Sequence, residues 1–209
     1  MFNNLKLEKM ITTANLKNWV NVDQLVETIG AVQTNPELDK FEFRAKNNWI
    51  NGGHCVSSIK SFYGVGAEDE SRQETFTMES SHPHVLLGQD EGATPPEIVL
   101  HALGSCLTAA MTYHAAANGI DIQSAESTLE GGVDLQGFLG LDAEVRKGFD
   151  GINFKLKVKS DATTEQLENL AKFSPVFDII TNPTPVTIEI GNGNYKFYKK
   201  ATQLCSSVF

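Results

Sequence analysis

Cys106 sits inside the longest uncharged stretch of the chain, since no Asp, Glu, Lys or Arg occurs from Ile98 to Asn118. A cysteine thiolate is a nucleophile toward peroxides and other soft electrophiles, whereas a protonated cysteine in apolar surroundings only packs as a small hydrophobe. A cationic or hydrogen-bonding neighbour decides between the two. The residue lies about three turns into its helix, beyond the reach of the N-terminal dipole. Tyr113, at i+7, shares its face, while His101 and His114 lie off to the side, so no partner is evident locally.

The other candidates have less around them. In Ser81-His82-Pro83-His84 the two histidines face one way on an extended segment and make half a metal site. No cysteine or carboxylate follows at a fixed ligand spacing, so solvated loop histidines are the simpler reading and no metal is assigned. There is no glycine-rich phosphate loop, no Gly-x-Ser-x-Gly elbow and no Cys-x-x-Cys, so nucleotide-binding and serine-hydrolase readings lack their signatures and no cofactor is expected.

The helix that must carry Cys106 has both ends written in the sequence. Thr94 and Glu97 have capping-box spacing, Pro95 takes the first helical position, and Asn118-Gly119 ends it. About 24 residues at 1.5 Å each span about 36 Å, enough to cross a small domain. His101, Gly104, Ser105, Thr108, Thr112, His114 and Asn118 interrupt its apolar character, which favours a buried core helix over a membrane span.

Before it, Val22, Leu25, Val26 and Ile29 recur at helical spacing up to Asn35-Pro36, giving a short amphipathic helix over 22–34. From Phe41 the period changes to two in FEFRAK, VSSIKSF after Gly52-Gly53, and ETFTME, the pattern of an antiparallel meander. After the long helix come strands over 124–135 and 151–159, a helix in ATTEQLENLAKF and another in SPVFDIITN with Ser174 as its cap. A final hairpin is expected from VTIEI and NYKFYKK. Strands, long helix, strands, paired helices and strands make an α+β domain.

Composition narrows the function. A net charge of −9, from 26 acids and 17 bases, disfavours nucleic acid and anionic membrane as partners. The N-terminal residues have no apolar run long enough for a signal peptide, so a cytoplasmic protein is expected, in which Cys55, Cys106 and Cys205 are thiols rather than a disulfide framework. Cys205, in QLCSSVF, reads as an incidental surface thiol.

Taken together, TPPEIVLHALGSC (Thr94–Cys106), SPVFDII (Ser174–Ile180), NWINGGH (Asn48–His54) and the SHPHVLLGQDEG loop resemble the OsmC/Ohr family of osmotically induced and organic hydroperoxide resistance proteins. The resemblance covers roughly residues 40 to 190, with the Pro-x-Glu to Gly-x-Cys helix its most specific part. It divides the chain into an N-terminal extension with the amphipathic helix (1–36), an OsmC-like domain (37–200) and a C-terminal tail (201–209). It implies an α+β fold with antiparallel sheets packed around a long central helix, in an intertwined homodimer with each active site at the subunit interface.

By that resemblance Cys106 matches the peroxidatic cysteine of a thiol peroxidase, Glu97 stands nearest to the family's catalytic glutamate, and His54 takes the hairpin place of the arginine that steadies the thiolate. This chain departs from the pattern in three ways. Ser174 replaces the resolving cysteine before the later proline. Glu97 lies one residue nearer to Cys106 than the family's glutamate, where the chain has Pro96. The nearest arginine to the hairpin is Arg44. Turnover would then use an external thiol reductant, or Cys55 as the resolving partner if the hairpin folds over Cys106. The alternative is a non-catalytic member that binds an apolar small molecule at the dimer interface while Cys106 only packs. A role as an interaction module built on the N-terminal helix is a third reading, for which no residue names a partner.

Overall fold

The first two strands, β1 (Leu16–Lys17) and β2 (Val20–Asn21), form a tight antiparallel hairpin. Its turn residues, Asn18 and Trp19, both take positive φ (52° and 63°). Asparagine tolerates that conformation and tryptophan does so rarely. Asn21 then caps α1 (Val22–Thr34) by accepting the Gln24 N–H, and Asn35-Pro36 stops it as expected, passing into a 3₁₀ turn over Pro36–Asp39. The computed structural model describes residues 15–182 and 184–191.

The strands that follow are β3 (Lys46–Asn51), β4 (His54–Ile59), β5 (Phe62–Gly64), β6 (Ala67–Asp69) and β7 (Phe76–Ser80). They are not a plain meander. β3, β4 and β7 make one antiparallel sheet, and β5–β6 is a separate hairpin inserted between β4 and β7. The strand expected from Phe41 begins only at Lys46; before it there is a single bridge, Glu42 to Tyr63. The reason lies in the side chains. Phe41 and Phe43 pack on Phe62, with ring centroids 6.3 and 5.8 Å away, and the Arg72 guanidinium lies over Phe62 and Phe76 at 5.0 and 5.5 Å. Aromatic stacking, rather than a backbone ladder, holds this segment.

The long helix is α2 (Pro95–Ala117), capped by the full Thr94–Glu97 box. Then come β8 (Ile122–Val133), a single turn α3 (Leu135–Phe138), β9 (Phe149–Ser160), α4 (Thr164–Ala171) and α5 (Pro175–Thr181), with β8 and β9 paired antiparallel. The core is built from Leu103, Leu107 and Met111 of α2 with Ala171 of α4, surrounded by Leu129, Ile152, Phe154, Leu156, Leu167 and Phe177 among others. Burying each large side chain contributes about 1.5–3 kcal/mol. Gly104 brings helix and sheet together, because a Cβ there would stand 2.7 Å from Leu129 Cδ1.

Two expectations are corrected. Within the chain α2 is buried on one face only. Leu103, Gly104, Leu107, Met111 and Ala115 point into the core, while His101, Ser105, Ala109 and Tyr113 are exposed, so lack of charge did not mean burial all round. The final hairpin is not formed among the described residues. Residues 184–191 carry no strand and Val186, Ile188 and Ile190 are exposed, while the other half of the expected hairpin, 195–200, lies outside the described residues. The architecture is α+β, with small antiparallel sheets and one long helix. Among the described residues no helix is long and apolar enough to cross a membrane.

Candidate functional site

Cys106 is half-buried and free. On α2 it is about 60° round from Leu103, at the border between the face packed on β8 and β9 and the exposed, uncharged face that ends at Tyr113. Its sulfur is therefore neither sealed in the core nor standing clear of the surface. His114, which the helix places off to one side of Cys106, stacks on Phe173 with centroids 4.3 Å apart.

Glu97 is committed to the helix cap. Its carboxylate accepts the Thr94 N–H at 2.8 Å and the Thr94 hydroxyl at 2.7 Å. Those bonds, the hydroxyl's first, hold its carboxyl below the usual carboxylate range. Both oxygens' capacity is not exhausted, but the orientation is that of a cap and not of a base aimed at Cys106.

His54 and Cys55 are consecutive residues of β4, so they point to opposite faces of the sheet. The register settles which. Cys55 lies opposite Trp49 and Ser80, on the face that carries Met78, Phe76 and Ile59; His54 shares the other face with Val56 and Glu79. The Cys55 face mixes these apolar side chains with Asn47, Ser57 and Ser80, and Trp49 on it is 71% exposed. One strand cannot present both residues to the same place. Among the described residues no hydrogen bond or ion pair joins Cys106, Glu97, His54 and Cys55 to one another.

What surrounds His54 could not be read from spacing. Its Nε2 lies 3.2 Å from Glu79 Oε2 and its Nδ1 3.7 Å from Glu91 Oε1. Glu91 is held in turn by the buried Ser81, whose hydroxyl donates to it at 2.5 Å. That bond first, with His54 adding less, lowers the Glu91 carboxyl below its ordinary range. The β4–β7 register supplies Glu79 and the loop after β7 supplies the rest, and neither leaves a sequence motif. Arg44 is occupied elsewhere, paired with Glu42 at 2.6 Å and Glu68 at 2.7 Å.

His82 and His84 do not share an extended segment. His84 opens a 3₁₀ turn and its Nδ1 faces the Gly88 carbonyl at 3.0 Å, while His82 lies against Gly53, where a Cβ would stand 2.2 Å from its ring. Among the described residues no group of three or more His, Cys, Asp or Glu is placed to hold a metal ion. Ser174 is buried and serves as the N-cap of α5, its Oγ accepting the Phe177 N–H at 3.1 Å. Cys205 lies outside the described residues.

A trough of 1090 Å³ opens along β9 between α2, α4 and α5. Leu103, Leu107, Phe154 and Phe177 line it, with Arg146 and Lys172 among its polar residues. Cys106 does not line it.

The family model for OsmC-like proteins matches residues 88–189, the stretch from the connecting loop through α2, β8, β9 and both late helices. Residues 88–189 of the chain are OsmC-like. Its likeness to solved structures is distant. An OsmC-like protein from Mycoplasma pneumoniae aligns at TM-score 0.48 and 15% identity over 69% of this chain and 90% of that one. An organic hydroperoxide resistance protein OsmC from Legionella pneumophila, described as a predicted redox protein and regulator of sulfide bond formation, aligns at 0.45 and 16% over 67% and 89%. An OsmC-like protein of unknown function from Vibrio cholerae aligns at 0.44 and 15% over 65% and 90%. No curated protein matches the chain by sequence. Within this OsmC-like stretch the half-buried thiol lies on the longest helix among the described residues.

Proposed function

We propose that the protein is a thiol-dependent redox protein that reduces organic hydroperoxides through Cys106. The observation that carries this reading is the position of Cys106 on the long helix of an OsmC-like domain, at the border of an apolar core and an open face. In the reaction the thiolate sulfur attacks the outer peroxide oxygen and the O–O bond breaks. The sulfur keeps that oxygen as a sulfenic acid, and the alkoxide leaves and takes a proton to become the alcohol. With Ser174 at the later helix, the sulfenic acid is reduced from outside. One thiol condenses with it to a mixed disulfide and releases water, and a second thiol frees Cys106 as that pair becomes a disulfide.

Catalysis takes place in a homodimer. The support is the exposed, uncharged face of α2 and the exposed Trp49, Phe76 and Met78 on the Cys55 face of the β3–β4–β7 sheet, surfaces that one chain leaves in water. Cover by a second copy would close the open side of Cys106 and bring the hairpin near it, with His54 or Cys55 turned toward the sulfur but not both.

The trough favours one other reading, a protein that binds an apolar small molecule while Cys106 packs. Its volume is of ligand size, and Cys106 stands outside its lining. A brief pulse of an organic hydroperoxide with a sulfenic-acid trap, read by mass spectrometry, separates the two. The expected result is trap adduct on Cys106, abolished in Cys106→Ser, and without trap no disulfide to Cys55. An unmodified Cys106 in folded protein rejects the redox reading.

A further inference from the structure

The loop from Ser81 to Gly92 joins the N-terminal sheet to the cap of α2, and most of its hydrogen bonds are its own. Leu86 and Gly88 donate to Pro83, Leu87 to His84, Asp90 to His82, and Ser81 pairs with Ala93 at its base. Packing holds it against the hairpin through His82 on Gly53, while the close approach of Gly88 to the His82 carbonyl tightens the loop itself. Among the described residues the polar tie between loop and hairpin is His54, whose side chain is 14% exposed, set between Glu79 of β7 and Glu91 of the loop.

An imidazole counts its carboxylates by its protons. Neutral, it has one N–H and one lone pair, so it holds one carboxylate and turns the lone pair toward the other. As imidazolium it donates from both nitrogens and neutralises one of two nearby negative charges. We infer that His54 is a proton-operated latch, which ties Glu79 to Glu91 when charged and lets the Ser81–Gly92 loop lift from the hairpin when neutral. The charged groups facing it are Glu79 from β7 and Glu91 from the loop. His82 stands beside it against Gly53 and has a buried Nδ1 with no partner among the described residues. Ser81 keeps Glu91 ionised and aimed at the ring, so it is a positioning residue for the latch. Because the loop runs straight into Thr94, the latch sets how firmly the start of α2 is held to the hairpin. The inference does not depend on the redox chemistry of Cys106.

Hydrogen exchange of peptides covering 82–92, followed by mass spectrometry on the full chain between pH 5.5 and 8 and scaled to intrinsic exchange rates, tests it. Protection of the loop should fall about tenfold as pH rises across the range in which histidine changes charge, while peptides of β8 and β9 hold theirs. His54→Gln should show the low protection at every pH. His54→Arg, a permanent cation between the same carboxylates, should show the high protection at every pH, and it carries the test if the glutamine variant does not fold. A flat profile in the unaltered protein overturns the latch. So does a pH response that survives in His54→Arg, or one that disappears in His82→Gln instead.

Discussion

Asn18 allows a prediction whose size can be worked from distances. Its amide nitrogen donates to the Ile120 carbonyl at 3.0 Å and to the Thr112 carbonyl at 3.4 Å, and its amide oxygen accepts the Ile122 N–H at 2.7 Å. One side chain therefore joins α2, the turn after it and the first residue of β8. Two of these bonds have full-strength geometry and one is long, and each ordinary bond contributes about 0.5–1.5 kcal/mol net. Asn18→Gly removes all three while keeping the positive φ free of cost, so it should destabilise the protein by about 2–3 kcal/mol. Asn18→Ala should cost about 1 kcal/mol more, the penalty of putting a Cβ into the left-handed region. Asn18→Asp gives the sharper comparison. It can still accept from Ile122 but has nothing to donate to the two carbonyls, and it places a negative charge at the C-terminal end of α2. It should be no better than the glycine variant. Urea unfolding followed by circular dichroism, with m-values compared, measures all three. A loss under 0.5 kcal/mol for both glycine and alanine, or an aspartate variant as stable as the parent, would refute the clamp.

Met111, with none of its surface exposed, lies at the centre of the α2 face that packs on the sheet, so Met111→Ala should cost about 2–5 kcal/mol in the same urea assay. Thr94→Ala should cost about 1 kcal/mol by removing the α2 cap. The carboxyls of Glu97, Glu91 and Asp69 are all held below their ordinary range, chiefly by the hydroxyls of Thr94, Ser81 and Ser71 respectively. A depressed carboxyl stabilises the fold above its unfolded value, about pH 4, and that contribution is lost as pH falls through the folded value. Thermal unfolding between pH 5 and pH 2 should therefore show a steepening loss, shallower in Thr94→Ala because Glu97 then has less to lose.

Local features were legible before the structure, and relations between distant segments were not. The end of α1 and both ends of α2 follow from neighbours in the chain, Asn35-Pro36 for the first and Thr94, Pro95, Glu97 and Asn118 for the second. Period two located β9 but misplaced the strand at Phe41, because alternating aromatic residues look alike whether they line a sheet or stack on one another. At the candidate site Cys106 stood out by its setting, yet the choice between the two faces of β4 depends on a register shift near Trp49 and Asn51 that no propensity encodes. The carboxylates around His54 arrive from a strand and a loop more than twenty residues away, the Glu79 bond spanning a separation of 25.

The Asn18 clamp also fixes an order of events during synthesis. Its three bonds join residues 94, 102 and 104 positions apart along the chain. A ribosome adds about 5–20 residues per second, so the turn at Asn18 leaves it about 5–20 s before the residues that it clamps. For that interval Trp19, 95% exposed even in the finished fold, sits at the tip of a hairpin two residues deep whose left-handed turn lacks the Asn18 clamp. The N-terminal hairpin is thus made first and locked late, once α2 and the start of β8 have emerged, which makes its protection from proteases a clock for completion of the helix.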